Sequence, residues 1–317
     1  MRAFFLVAML FALTTLTGCH HRHAQVPLFG GNYPVTTIDP DKHVGQVHNL
    51  YYTQGGRSNE QTLDLYLPLD AQPPYPVIIW VHGGSWMHGD KNQDCLACQY
   101  LSSKYAIASI NYRLDTEAWF PNQIYDIKAA VRFLRAHAKE YKLDPKRFGV
   151  WGTSAGGHLA ALLGTSAGIK QLEGNEGNRK ESSAVQAVCD WCGPTDLNTA
   201  ESQAPPTNKV KFSGQSSPVF VLMGGRMDKA SLAQASPVTY VNKRTCPFLI
   251  MHGDQDDAIP PAQSQELYEL LKANGVDAQY HLLHGYGHSF SAPEHFKLVQ
   301  DFFDEKLRSV GKASKDR

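Results

Sequence analysis

Val77-Ile78-Ile79-Trp80-Val81 is an unbroken apolar run between Pro76 and His82. A strand with one wet face alternates apolar and polar side chains, so a run like this belongs to a strand covered on both faces. Such a strand needs partners on either side of it and helices above and below. The rest of the chain offers both. Ile124, Ile127, Val131, Leu134, Ala138 and Tyr141 recur at three- and four-residue steps, which predicts a long amphipathic helix stopped by Asp144-Pro145. Strands are expected at 47–53, 62–68, 106–112, 147–152, 185–191, 246–253 and 278–285. Helices are expected at 92–104, in the segment HLAALLG after Gly157, at 262–274 and at 294–308. Strands alternating with helices give an α/β fold, a mostly parallel sheet with helices on both faces. No internal repeat is present.

Charge then narrows the partners. Thirty basic and thirty acidic side chains cancel, which argues against a general binder of nucleic acid or anionic membrane. With 42% hydrophobic residues the bulk of the chain is not disordered, and 317 residues fit one or two domains. Near the start, Arg2 precedes the apolar run AFFLVAMLFAL, too short to span a bilayer. The following Leu16-Thr17-Gly18-Cys19 resembles the bacterial lipoprotein cleavage box. That resemblance implies a signal peptide at 1–18, lipid on Cys19 and a tether at 19–45. His20 is not the aspartate associated with inner-membrane retention, so the expected location is exported and lipid-anchored in the outer membrane. Residues 24–45, punctuated by Pro and Gly, read as linker. Loss of Arg2 leaves 29 basic and 30 acidic residues, a charge of −1. The His20-His21-Arg22-His23 cluster reads as solvated tether.

Five cysteines remain beyond Cys19: Cys95, Cys98, Cys189, Cys192 and Cys246. An odd number leaves at least one thiol free or intermolecular. The two C-x-x-C pairs fall inside expected regular elements rather than knuckle loops, so they read as disulfide or buried thiol and not as a metal site. The pairing itself is open.

Gly152-Thr153-Ser154-Ala155-Gly156 fits G-x-S-x-G and lies between an expected strand and an expected helix. That sharp turn lifts a serine hydroxyl to the sheet edge, and small flanking residues leave room for the reversal. The helix following Ser154 turns its positive end toward the site. An alcohol needs a base to become a nucleophile. His288, in Tyr286-Gly287-His288-Ser289-Phe290 after the last strand, is the candidate, while His281 and His284 are placed within the strand itself. Three aspartates compete for the orienting acid in His252-Gly253-Asp254-Gln255-Asp256-Asp257. The segment resembles the α/β-hydrolase esterases, whose H-G-x-x-D…[VI]-P pattern implies Asp256 as the acid, with Ile259-Pro260 behind it. Asp254 and Asp257 are then turn formers. The chain order Ser154, Asp256, His288 is the order used by that fold.

Trp80-Val81-His82-Gly83-Gly84-Ser85-Trp86 follows the buried run, where H-G-G-G loops of this class supply main-chain donors to an oxyanion. One donor is expected from Ala155. The others are either Gly83 with Gly84 or Gly84 with Ser85, because Ser85 replaces the third glycine. His82 is read as holding the loop. Further along stand Gly89-Asp90-Lys91, Asn111-Tyr112-Arg113-Leu114, GTSAGGHLAALL, Gly193-Pro194-Thr195-Asp196-Leu197 and Ala235-Ser236-Pro237. Together with LDLYLP these resemble the bacterial esterases of the feruloyl/acetyl-xylan type, relatives of the hormone-sensitive-lipase and prolyl-oligopeptidase branches, over about residues 47–308. The departures are Ser85, the polar stretch 168–183 and the second cysteine of CDWC.

The resemblance implies one catalytic domain at 46–310, with a lid over 193–240 and a polar tail at 311–317. It implies hydrolysis of carboxylic esters, acetyl or feruloyl esters of plant polysaccharide first, with no metal and no cofactor. The expected partner is that ester substrate, with membrane contact only through the lipid; no nucleic-acid partner is expected, and the protein is read as a monomer. Trp86 and Trp191, each just past a strand, are candidates for stacking on substrate. Asp126 is read as satisfying a loop, and Ser213 to Ser217 as polar linker. Two competing readings are a peptidase or amidase of the prolyl-oligopeptidase branch and a non-catalytic binding lipoprotein.

Overall fold

The computed structural model describes residues 37–39, 43–53, 59–93 and 95–308. The expected signal peptide, Cys19, the histidine cluster and the tail at 311–317 lie outside them. Among the described residues nine strands form one sheet in the order β1-β2-β3-β5-β4-β6-β7-β8-β9. They are β1 (Thr37–Asp39), β2 (Val44–Tyr51), β3 (Thr62–Pro68), β4 (Tyr75–Val81), β5 (Ala106–Ile110), β6 (Leu143–Thr153), β7 (Ala187–Trp191), β8 (Phe248–Gly253) and β9 (Ala278–Leu283). From β1 to β3, and between β3 and β5, neighbours run antiparallel; every other pairing is parallel.

The alternation of β4 divides the core. Val77, Ile79 and Val81 point into the larger apolar cluster, with residues of α2 (Asn122–Ala136) and α3 (Ala155–Thr165). Ile78 and Trp80 point the other way, toward residues of α1 (Leu96–Leu101) and of the late helix at Pro293–Phe303. Both faces of the run are dry, as its composition requires. On the second face Trp80 and Trp151 meet edge to face at 5.2 Å and Trp151 and Trp191 at 5.0 Å.

This division also positions the site. The chain leaves β4 through α1 on one face and leaves its neighbour β6 through α3 on the other. Ligands of open α/β sheets sit beyond the strand ends at such a reversal. Register aligns those ends, with Val81 opposite both Ile110 and Gly152, Thr153 opposite Trp191, and Gly253 opposite Leu283.

Several expected boundaries are corrected. Residues 24–45 were expected as linker, yet Thr37–Asp39 pairs with β2, which itself begins at Val44. A three-residue strand carries no periodicity to read. The helix expected at 92–104 shrinks to α1, because Lys91 is tied to β5: its N–H donates to Asn111 at 2.5 Å and its carbonyl accepts from Ser109 at 2.6 Å. α2 ends at Ala136, and Ala138 and Tyr141 reach the core through turns. The stretch 168–183, expected to be exposed, is pinned to α2 by ion pairs from Lys128 and Arg132 to Glu173 (2.8 and 3.4 Å). The region 193–240 holds three short α-helices, α4 (Ala200–Gln203), α5 (Pro218–Leu222) and α6 (Lys229–Ala235), and a 3-10 turn at Pro237–Tyr240. Ser217, expected in polar linker, is buried and caps α5 by accepting from the Phe220 N–H. The remaining α-helices among the described residues are α7 (Ala262–Ala273) and α8 (Pro293–Phe303).

Candidate active site

Ser154 is the single residue between β6 and α3, at φ +56° and ψ −121°. Backbone in this region is strained for a side-chain-bearing residue and persists only where its surroundings enforce it. The two flanking glycines show how. A Cβ on Gly152 would lie 2.2 Å from the Gly156 carbonyl oxygen, and one on Gly156 would lie 2.1 Å from that of Val81. The Ser154 N–H donates to the Trp191 carbonyl at 2.8 Å, anchoring the turn to β7.

The turn brings Ser154 to His288, with Oγ to Nε2 at 3.0 Å, and His288 Nδ1 lies 2.7 Å from Asp256 Oδ2. A carboxylate only accepts, so Nδ1 carries the hydrogen and Nε2 accepts the serine hydroxyl. Asp256 sits in the loop after β8, where its Oδ1 accepts from the N–H groups of Ala258 (2.8 Å) and Ile259 (2.9 Å). Burial alone would raise the Asp256 carboxyl. The hydrogen bonds from His252 and His288 outweigh it and hold the group far below the usual carboxylate range. Burial alone would lower His288; the bond to Asp256 and the nearby Cys192 outweigh that and hold it above the ordinary histidine value. The arrangement can pass a proton from hydroxyl to imidazole and hold the resulting cation.

In the loop after β4, Gly84, Ser85 and Trp86 all have positive φ (+113°, +57° and +62°). Ser85 therefore occupies a conformation that favours glycine, at the position where the third glycine was expected. The Gly84 carbonyl accepts from Met87 (3.0 Å) and His88 (3.1 Å), closing the turn. Ser85 borders two cavities together with Ser154 and His288, Gly84 borders the larger, and Ala155 the smaller. His82 holds the loop: its Nδ1 donates to the Gly83 carbonyl at 2.7 Å, and its ring stacks on Tyr112 at 4.4 Å.

The larger cavity, about 640 Å³, has a polar wall that includes His88, Asp90, Gln93, Ser289 and Ser291. The smaller, about 170 Å³, is walled by apolar residues, among them Pro194, Val210, Phe212, Val219 and Ile259. The segment at 193–240 supplies most of that apolar wall.

Trp86 and Trp191 were expected to offer rings for stacking, and the structure corrects both. Trp86 is buried, and its Nε1 donates to His158 Nδ1 at 3.2 Å. His158 Nε2 in turn donates to the Ala235 carbonyl at 2.7 Å, so this chain ties the loop after β4 to α3 and α6. Trp191 is buried between Trp151 and Phe290 (5.0 and 4.6 Å). Each borders a cavity as wall without an exposed ring. His284, expected within a strand, lies past the end of β9, exposed and 2.9 Å from Asp254. Asp257 pairs with Lys209 at the surface. Asp126 holds a loop, accepting from the Arg113 N–H at 2.9 Å and from its Nε at 2.8 Å.

Sequence reasoning missed His158 and His252. Both are fully buried, and the only signal was their place inside quoted motifs. Among the cysteines, Cys95 and Cys98 form a disulfide, while Cys189, Cys192 and Cys246 are free thiols. Ligand atoms of Cys192, Asp256 and His288 lie within 4.8 Å of one another, a set that could hold a soft cation. Each is already engaged: the Cys192 thiol donates to the His288 carbonyl at 3.4 Å, and His288 Nδ1 is bonded to Asp256.

A model of the BD-FAE family matches residues 63–271. Esterase LipQ of Mycobacterium tuberculosis is 31% identical over 240 residues, which covers 74% of this chain and 55% of that protein. The chain spans about half the length of the curated relatives it matches. Among solved structures, a truncated carbohydrate esterase from gut microbiota superposes with a TM-score of 0.77 at 31% identity, covering 86% of this chain and 99% of that one. A bifunctional GH43-CE protein of Bacteroides eggerthii gives 0.75 at 33% identity, covering 83% and 35%.

Proposed function

The chain belongs to the BD-FAE family, and from that premise we propose that it is a serine esterase working through Ser154, His288 and Asp256. The observation that carries the reading is the pair of hydrogen bonds joining the three, 3.0 and 2.7 Å, at the junction of the two cavities. His288 Nε2 takes the proton of Ser154 as Oγ bonds to the ester carbon. The carbonyl oxygen becomes an oxyanion facing the main-chain N–H groups of Ala155 and of the Gly84–Ser85 turn, each such donor being worth about 3–4 kcal/mol in the transition state. Collapse breaks the bond to the alcohol oxygen, which leaves with the proton from His288. Water then gives a proton to the same nitrogen, its oxygen attacks the acyl carbon, and collapse returns the proton to Ser154 Oγ and frees the acid. Asp256 keeps Nδ1 hydrogen-bonded throughout and stabilises the imidazolium.

The two cavities support a substrate class. The apolar chamber fits a small acyl group, and the larger polar groove fits a hydroxyl-rich alcohol. Acetyl esters of plant polysaccharide match that division. Feruloyl esters are the alternative, in which the aromatic acyl group takes the larger cavity. The carbohydrate esterase from gut microbiota supports a carbohydrate ester. The same reading places the enzyme outside the cytoplasm on a lipid at Cys19, tested by palmitate labelling of the wild type and its loss in Cys19→Ala.

Hydrolysis of p-nitrophenyl acetate, acetylated xylan, methyl ferulate and aminoacyl anilides by the full chain tests the proposal, with Ser154→Ala alongside. Ester turnover that disappears in the variant is the expected result. Activity surviving in Ser154→Ala, or cleavage of anilides in preference to esters, would overturn it.

A further inference from the structure

Asp256 faces a second histidine. His252, the penultimate residue of β8, is fully buried and places Nε2 3.0 Å from Asp256 Oδ2, the same oxygen that His288 engages from the other side at 2.7 Å. The orientation of its ring is not free. Nε2 donates its single hydrogen to the Ile259 carbonyl at 3.0 Å, which can only accept, and Asp256 Oδ2 shares that hydrogen from the same distance. On the opposite side, Nδ1 meets the hydroxyl of Ser264 at 2.7 Å, and Ser264 is itself fully buried on α7.

From this geometry we infer that His252 is a positioning residue for the aspartate. It rests on β8, is locked by Ser264, and holds Asp256 Oδ2 where His288 Nδ1 needs it. The inference rests on the Ser154–His288–Asp256 reading of the previous section. Asp256 has two oxygens and no exposed side-chain surface, so protein groups must satisfy it. Oδ1 is held by two backbone N–H groups. Oδ2 is held only by side chains, and His288 has to stay mobile enough to shuttle a proton. His252 is the fixed member of that pair. A close backbone contact supports the arrangement: a Cβ on Gly253 would lie 2.2 Å from the Tyr286 carbonyl, so the His288 loop packs directly on the end of β8. Other titratable groups facing this cluster are Cys192, against His288, and Asp190 on β7, whose charge acts on His252.

Two substitutions separate the roles. In His252→Gln the amide nitrogen reaches as far as Nε2 and keeps a donor for Asp256. In His252→Asn the shorter amide keeps a partner for Ser264 and withdraws from Asp256. With p-nitrophenyl acetate, His252→Asn is expected to lower kcat about ten- to a hundredfold, the loss that goes with one hydrogen bond to a charged group. KM stays within about twofold, since no substrate contact is removed. The acid limb of the kcat–pH profile moves down toward the ordinary histidine range, because a loosened carboxylate supports the imidazolium less well. His252→Gln recovers most of both changes. If His252→Asn does not fold, as circular dichroism would reveal, His252→Met keeps the volume and takes its place. Wild-type kcat and pH limb in the donor-less variant would overturn the inference. So would equal losses in both variants with an unmoved limb, since that pattern means packing alone. Ser154→Ala separates the two levels: activity surviving there refutes the underlying esterase reading, whereas a dead Ser154→Ala beside an unimpaired His252→Asn refutes only the role of His252.

Discussion

Ser154, His288 and Asp256 have chemistry that depends on how each is held. His288 is raised above its ordinary value by Asp256 and Cys192 against the opposing pull of burial. A base with a raised value stays protonated to higher pH, so esterase activity should climb with pH along a limb lying above about 6.5, the ordinary histidine value. Asp256→Asn removes the carboxylate, and the limb should fall back toward that value while kcat drops by roughly four orders of magnitude. A pH–rate profile of both proteins checks the sign; an unmoved limb would show that Asp256 does not set it. Gly156 makes a second residue-scale case. Its missing Cβ would meet the Val81 carbonyl at 2.1 Å, a backbone atom that cannot swing away. Gly156→Ala should cost about 1–3 kcal/mol by overpacking and lower activity through displacement of Ser154, read as a depressed denaturant midpoint together with a reduced kcat. The G-x-S-x-G pattern was legible at this scale because each glycine answers to a local clash.

Between elements, the informative contact is the chain from Trp86 through His158 to Ala235, which joins the loop after β4 to α3 and α6. Complete burial pushes His158 down to about 4. The unfolded chain binds a proton near 6.5 that the folded chain refuses until about 4. Stability from this group is therefore full above pH 6.5 and is lost as pH falls toward 4, by about 3 kcal/mol in all. Urea unfolding at pH 7 and pH 5 should show about 2 kcal/mol of that loss in the wild type, and His158→Gln should flatten it; equal slopes in the two would remove His158 from the account. Strand and helix identities were readable at this scale, since the apolar run of β4 and the spacing of α2 are local patterns. The lengths of α1 and α2 were not, because Lys91 is claimed by β5 and the last turns of α2 are claimed by the core.

Across the whole molecule, the crevice lies where the chain leaves β4 toward one face of the sheet and the parallel β6 toward the other, and the segment at 193–240 lines one side of it. That segment is what makes the smaller cavity apolar, through Val210, Phe212 and Val219. Val219→Phe should fill that chamber, cutting kcat/KM for p-nitrophenyl butyrate relative to the acetate by about tenfold or more, within the range a pocket exerts over one or two methylenes. An unchanged ratio would place the acyl group in the larger cavity instead. The sequence led to the expectation of a lid over 193–240; which cavity wall that segment supplies was not readable from it.

Local patterns in the chain were enough to determine an α/β sheet buried on both faces and the sharp turn at Ser154; the choice of Asp256 among three aspartates came from the family resemblance. Such patterns act between residues a few positions apart, where spacing and steric clash are written directly in the chain. Tertiary structure decided the rest. Trp86 and His158 are 72 positions apart, and their contact turned a candidate stacking ring into a strut. His252 sits in the same motif as Asp256, yet its role depends on Ser264 from the next helix and on a loop arriving from β9. A buried polar atom must find its partner wherever packing puts one, and packing joins segments that local sequence cannot relate.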